Sequence, residues 1–171
     1  MKSTFHQVQD FLTNPSQKKD SFWGSDALIW IDWRECDEDI LRYLNGQLAD
    51  GEKIDFEVVP TDKERGVDIV LKKGGARFPI PYQDCCTDRD TTLKSAHDYL
   101  APNCQIRWFL ESLGCDTLAF CLMPASQWEQ LERQFGPEAT AYFFAPIERD
   151  SRMFDLDVGE VCDLMEAREE L

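Results

Sequence analysis

The segment from Gly66 to Tyr82, GVDIVLKKGGARFPIPY, constrains the fold of this chain more than any other stretch, because it has the pattern of a β-hairpin. Apolar residues alternate along its first arm, a Gly-Gly pair follows, and apolar residues return on the second arm. Pro79 and Pro81 place the second arm at the edge of a sheet, since proline has no backbone N–H to donate. The chain is therefore expected to contain antiparallel sheet.

The hairpin is surrounded by a mixture of strand and helix patterns. Strand-length apolar runs occur at 27–33, 116–123 and 139–147, and 53–59 also has the pattern of a strand. Helical spacing occurs at 1–13, 37–49, 90–100, 126–135 and 158–170, the third of these with a cap near Asp90, while 14–26 has the composition of a loop. Residues 104–113 fit both a helix and a strand, and their first half slightly favours a strand.

These patterns predict an α+β (mixed α/β) fold with one domain over residues 1–171. We expect a central, mostly antiparallel or mixed sheet of about five or six strands covered by about three or four helices. Residues 1–20 are expected to form a peripheral helix and loop, and residues 150–171 an acidic, helical tail.

Size and composition limit the environments in which the chain can work. Hydrophobic residues make up 43% of 171, enough for a core, and no run approaches the roughly 18 apolar residues of a membrane span. The first 20 residues lack the apolar stretch of a signal peptide. Seven cysteines, an odd number without a C-x-x-C motif, are expected to be reduced thiols and not zinc ligands. A cytoplasmic location is therefore predicted.

The net charge of −15 is concentrated in two segments of the sequence. Residues 32–57 and residues 148–171 each hold nine acids and three bases. Acidic surfaces repel phosphate, so nucleic acid is not expected as a direct partner. The same surfaces suit a basic partner protein, although solubility alone also explains an acidic surface.

The densest group of acids lies in IWIDWRECDEDI, residues 29–40, where an apolar strand is followed by a helix. Asp37, Glu38 and Asp39 fall in the first turn of that helix, where acids interact favourably with free N–H groups and the helix dipole. Asp32 and Glu35 precede them. A carboxylate set of Asp32, Glu35 and Asp37 at the end of a strand is also able, in principle, to hold Mg²⁺.

Catalytic motifs are missing from the sequence. There is no G-x-S-x-G, no P-loop and no G-x-G-x-x-G. Neighbouring carboxylates disfavour a thiolate at Cys36. Cys85 or Cys86 with His97 is the one cysteine–histidine pair in a short stretch, but the apolar neighbours of His97 favour packing. The expectation is a protein that is not an enzyme, with no catalytic residue, no cofactor and no bound metal.

Aromatic residues indicate binding instead, because Trp and Tyr anchor many protein interfaces. Trp23, in a polar stretch, is the first candidate for an exposed anchor, and Trp33, beside the acids, is the second. The leading hypothesis is an acidic binding protein that neutralises a basic partner such as a toxin, as immunity proteins do. The alternatives are a metal-dependent hydrolase or transferase using Asp32, Glu35 and Asp37, and an adaptor subunit of a larger assembly. The predicted partner-binding residues are Trp23, Asp32, Trp33, Glu35, Asp37, Glu38 and Asp39.

Overall fold

The computed structural model describes residues 3–171, which contain seven α-helices and seven β-strands. The helices are α1 (Thr4–Thr13), α2 (Pro15–Trp23), α3 (Asp37–Gly46), α4 (Arg89–Leu100), α5 (Ala125–Phe135), α6 (Pro137–Phe143) and α7 (Val158–Glu169). The strands are β1 (Ile29–Asp32), β2 (Asp55–Pro60), β3 (Val67–Lys73), β4 (Ala76–Pro79), β5 (Cys104–Phe109), β6 (Thr117–Pro124) and β7 (Phe144–Pro146). The fold is α+β, as predicted.

Two antiparallel sheets replace the single central sheet that the sequence predicts. One has four strands in the order β1-β6-β5-β7, and the other has three in the order β2-β3-β4. The predicted hairpin is present as β3 and β4, and β4 is an edge strand, where Pro79 is tolerated. The predicted number of helices was also too low, since the described residues form seven.

The chain divides into two compact units. Among the described residues, unit 1 consists of 3–33, 102–147 and 156–171, and unit 2 consists of 34–101 and 148–155. The single-domain organisation stays a prediction. No helix within residues 3–171 has the length and apolar character needed to cross a bilayer.

Four phenylalanines pack against one another in the core of unit 1. Phe11 of α1 stacks on Phe22 of α2 with ring centroids 4.7 Å apart, and Phe109 of β5 lies 5.3 Å from Phe144 of β7. All four rings are buried. Such aromatic pairs add about 0.5–1.5 kcal/mol each to the stabilisation from burial alone.

Unit 2 packs α3 against α4 beside the three-stranded sheet. Ile40, Leu41 and Leu44 of α3 are fully buried, as their helical spacing predicts. Asn45 fixes the end of this helix to the chain entering β2, because its side chain both donates to the Ile54 carbonyl and accepts from the Ile54 N–H. Because its apolar stripe is buried, α3 exposes the opposite face.

Candidate functional site

Asp37, the first residue of α3, lies inside unit 2 with only 3% of its surface exposed. Its carboxylate is 3.0 Å from Arg65 Nη2, and it accepts hydrogen bonds from the Thr92 hydroxyl at 2.8 Å and the Asp88 N–H at 3.1 Å. The predicted partner-binding role of Asp37 is therefore corrected, because a carboxylate whose partners are all internal is not a surface group.

Arg65 is the residue that holds this buried cluster together, and sequence analysis did not identify it. Its guanidinium donates to the carbonyls of Val67 and Cys86, both at 2.6 Å, in addition to pairing with Asp37. It also lies over the Tyr82 ring, 3.5 Å from the centroid. In sequence Arg65 is one charge in a polar loop, so no local pattern indicates that it is buried.

Tyr82 joins the same cluster through its hydroxyl, which lies 2.7 Å from the Thr92 hydroxyl oxygen. Burial away from water, and after it the negative charge of Asp37, raise the pKa of Tyr82 above its ordinary value. The folded chain thus keeps this phenol protonated at a pH where the unfolded chain ionises.

We expect the free energy of unfolding to fall as the pH rises above about 10, because Tyr82 then loses its proton in the unfolded state alone. Tyr82 contributes up to about 1.4 kcal/mol per pH unit to this slope. Tyr82→Phe removes that contribution. Urea denaturation followed by circular dichroism between about pH 9 and pH 11 measures both slopes. Equal slopes in the variant and the natural chain contradict the prediction; a constant offset reports only the lost hydrogen bond.

The outer side of α3 carries the remaining acids of the predicted site together with an exposed tyrosine. We call Glu35, Glu38, Asp39, Arg42 and Tyr43 the α3 surface. Tyr43 is 40% exposed and donates a hydrogen bond from its hydroxyl to Glu35 at 3.0 Å. That hydrogen bond is the largest of the influences that raise the pKa of Tyr43. Arg42 Nη1 pairs with Asp39 at 2.5 Å.

Helix geometry explains why these side chains are neighbours. Residues three or four apart share one face of a helix, so Asp39 lies beside Arg42 and Tyr43, and Glu38 lies beside Arg42. Glu35 precedes the helix and reaches Tyr43 across its first turns. Sequence analysis missed Tyr43, although its place on the polar side of the helix is a signal that could have found it.

The predicted residues Trp23, Asp32 and Trp33 belong to unit 1, and the division between the units falls directly after Trp33. Trp23 does not lie in a polar loop. It ends α2, and its ring packs 4.8 Å from the ring of Trp30, so it is partly buried. Asp32 is the last residue of β1, paired with Thr117 and partly buried. Trp33 is 39% exposed, as the sequence predicts.

The acidic tail predicted over residues 150–171 is helical only in its later part, where Val158–Glu169 form α7; no residue of this helix is buried, whereas Met153 and Phe154 before it are. The first turn of α7 is capped reciprocally by Asp157 and Glu160. Near its end, Arg168 donates to the Tyr142 carbonyl and pairs with Glu111 at 2.7 Å. We call Asp163, Leu164 and Glu166, which are all exposed, the α7 surface.

The structure gives the hypothetical Mg²⁺ site no ligand set. Asp37 is committed to Arg65, Thr92 and Asp88. Among residues 3–171, no three side chains of His, Cys, Asp or Glu form a group able to hold a metal ion. At the adjacent Cys36, burial, followed by the charges of Glu38 and Asp39, raises the pKa of the thiol. The direction is the one expected from the neighbouring carboxylates, although burial is the larger cause.

Comparison with known proteins returns no match to a protein family, to a curated protein or to a solved structure.

Proposed function

We propose that the protein is a binding module that engages a basic partner protein through the α3 surface, in the manner of an immunity protein that neutralises a toxic enzyme. The observation that carries the proposal is Tyr43, an exposed aromatic side chain whose hydroxyl is oriented by Glu35. Tyrosine is one of the residue types that contribute most binding energy at protein interfaces.

The charges around Tyr43 favour a basic partner. The α3 surface holds three carboxylates against one guanidinium, and the whole chain has a net charge of −15. Complementary charge accelerates encounter and fixes orientation more than it increases affinity. The aromatic ring would then supply affinity, while Glu35 and Glu38 attract and orient lysine and arginine side chains of the partner.

The rigidity of α3 also supports the proposal. The helix is held from below by Ile40, Leu41 and Leu44, and at its start by the ion pair of Asp37 with Arg65. A surface that is already ordered loses little conformational entropy when a partner binds, which favours affinity. All seven cysteines are free thiols, in keeping with the reducing cytoplasm that we propose as the location.

The proposal is tested by recovering partners from native lysate at low and at moderate salt, followed by measurement of the affinity and rates of the recovered complex. We expect one basic protein, held more tightly at low salt. Tyr43→Ala is expected to weaken binding by about 2 kcal/mol, roughly 30-fold. Glu38→Lys is expected to lower the association rate and to reduce its dependence on salt.

Matched controls separate the α3 surface from the other surfaces of the molecule. Asp163→Lys and Glu166→Lys make the same kind of charge change on the α7 surface, and Phe78→Ala removes an exposed aromatic residue of β4. These variants are expected to bind as the natural chain does. If they weaken the complex while Tyr43→Ala does not, the proposed site is wrong. Recovery of several proteins in fixed stoichiometry would instead favour an adaptor subunit.

A further inference from the structure

Two cysteines stand side by side in the loop between β4 and α4 of unit 2. Cys85 and Cys86 are both exposed, and their sulfur atoms lie 3.2 Å apart. Neither belongs to the α3 surface, and the proposed binding function does not use them. Two thiols at this separation are able to bind one ligand atom together, whereas a single exposed cysteine such as Cys36 or Cys162 offers only one sulfur.

The loop that carries the two thiols is fixed by backbone hydrogen bonds on both sides. The Arg65 N–H donates to the Asp84 carbonyl at 3.1 Å, and the Arg65 side chain donates to the Cys86 carbonyl at 2.6 Å. The Asp88 N–H donates to Asp37 at 3.1 Å. The backbone on both sides of the pair is therefore anchored at three positions, which lowers the conformational entropy lost when a ligand binds.

The distance between the sulfurs selects among ligands that bind two thiols. With bonds of about 2.3 Å, a linear centre needs sulfurs about 4.6 Å apart and a tetrahedral centre needs about 3.8 Å. Sulfurs 3.2 Å apart correspond to an angle of roughly 90° at the bound atom. Near-right angles are those of a pyramidal trivalent arsenic centre, so the pair fits that centre with the least rearrangement.

A disulfide between the same two cysteines is geometrically less favourable. Adjacent Cα atoms are separated by about 3.8 Å, which is below the roughly 4.4–6.8 Å found across most disulfides. The hydrogen bond with Cys85, the first of several causes, also raises the pKa of Cys86, which disfavours the thiolate that disulfide exchange requires. A ligand atom that bridges the two sulfurs avoids the constraint of the short Cα–Cα separation, because the sulfurs do not have to bond to each other.

We propose that Cys85 and Cys86 form a chelating site for monosubstituted trivalent arsenicals. Such compounds have two exchangeable positions, one for each thiol. In the reaction with an arsine oxide, two As–S bonds form and the As=O bond breaks. The two thiol protons leave with the oxygen as one molecule of water, and neither sulfur nor arsenic changes oxidation state.

The test uses the full, reduced chain and phenylarsine oxide as the probe, with binding read by intact mass spectrometry. We expect one phenylarsenic group per chain, gained with the loss of two hydrogens. It should be retained against an excess of a monothiol and released by a small dithiol. Cys85→Ser and Cys86→Ser are each expected to weaken retention on the order of 100-fold, because the second bond is no longer intramolecular.

Two features of the variants keep the test decisive. Both substitutions leave the backbone groups bound by Arg65 unchanged, so the loop is expected to stay folded, which circular dichroism checks. The matched control is Cys36→Ser combined with Cys162→Ser, which removes two separate exposed thiols and is expected to retain the arsenical fully. Loss of binding in this control, or undiminished binding in Cys85→Ser, overturns the proposal.

Discussion

Replacing Asp37 by alanine is expected to lower the free energy of unfolding by about 3–5 kcal/mol, the largest effect of any acid in the predicted site. The substitution removes the buried partner of the Arg65 guanidinium, whose side chain is 2% exposed. It also leaves the Asp88 N–H without its acceptor, while the Thr92 hydroxyl loses Asp37 and keeps the Asp88 carbonyl, at 3.0 Å, as an acceptor. Arg65 keeps its contact with the partly exposed Asp68 at 3.3 Å but loses its buried counter-charge while retaining its desolvation penalty, so the loss exceeds the net stabilisation that the buried pair provided.

Glu38→Ala is the matched control, because Glu38 lies one residue further along the same helix and is partly exposed. It is expected to cost less than about 1 kcal/mol, the range for an acid near a helix start. Arg65→Ala should lower the free energy of unfolding by about as much as Asp37→Ala does. The double variant should lose less than the sum of the two single losses, because both variants break the same ion pair. If Asp37→Ala costs no more than Glu38→Ala, the buried pair does not stabilise α3.

The choice of probe matters for this measurement. All five tryptophans, at positions 23, 30, 33, 108 and 128, belong to unit 1, so tryptophan fluorescence does not report directly on α3. Chemical denaturation followed by far-ultraviolet circular dichroism, with hydrogen exchange of the α3 amides, observes the affected unit.

Asp90→Ala is expected to have a second large effect, a loss of about 3–5 kcal/mol. The Asp90 carboxylate is 1% exposed and accepts hydrogen bonds from three consecutive backbone N–H groups, those of Met153, Phe154 and Asp155, at 2.8, 2.9 and 3.2 Å. Each N–H left buried without an acceptor costs roughly 1–3 kcal/mol. Hydrogen exchange at these three amides should accelerate strongly in the variant.

Asp88→Ala is the control that distinguishes the role of Asp90, which binds the backbone of residues 153–155, from helix capping. Asp88 is the N-cap of α4 and accepts from the Thr91 N–H at 3.0 Å. Its removal is expected to cost about 1 kcal/mol and to leave residues 153–155 protected. Asp90→Asn keeps one acceptor oxygen, so its loss in the free energy of unfolding should lie between those of Asp88→Ala and Asp90→Ala. Unchanged exchange at residues 153–155 in Asp90→Ala contradicts the assigned role.

Asp90 also shows how local patterns mislead. The sequence places a cap near Asp90, and a capping aspartate is present, but it is Asp88, two residues earlier. Both residues fit the start of a helix equally well in sequence. The distinction depends on residues 148–155, which unit 2 brings beside α4 from about 60 positions further along the chain. No local window contains that information.

Two short helices, α2 and α6, are not predicted by the sequence patterns, for a different reason. Residues 15–23 form α2 although their polar composition indicates a loop, and Phe22 is the one residue of this helix that is buried. Residues 137–143 form α6, whereas the apolar run at 139–147 predicts one strand, of which only Phe144–Pro146 is strand, as β7. In both, proline at the first position starts the helix, a signal that was present in the sequence. Short apolar runs do not distinguish a helix from a strand by periodicity alone.

The candidate site was predicted in part. Glu35, Glu38 and Asp39 lie at the start of α3 as expected, because first-turn acids and an apolar stripe are both local signals. Asp37 has the same local signals and is nevertheless buried. Arg65, 28 residues away, makes the difference, since a buried carboxylate needs a paired cation or several hydrogen-bond donors, and Asp37 pairs with Arg65 while accepting from Thr92 and Asp88.

The sequence by itself determined the α+β class, the hairpin of β3 and β4, the helices with a strong apolar stripe, and the acidic character of the chain. These depend on periodicity, turn residues and composition, which act within a few residues. Only the tertiary structure decided that seven strands divide into two sheets, that Asp37 and Asp90 are internal, that Tyr43 and not Trp23 is exposed beside the acids, and that Cys85 and Cys86 are fixed as a pair. Those outcomes depend on contacts between residues far apart in sequence, where burial and hydrogen-bond satisfaction select among side chains that local patterns treat as equivalent.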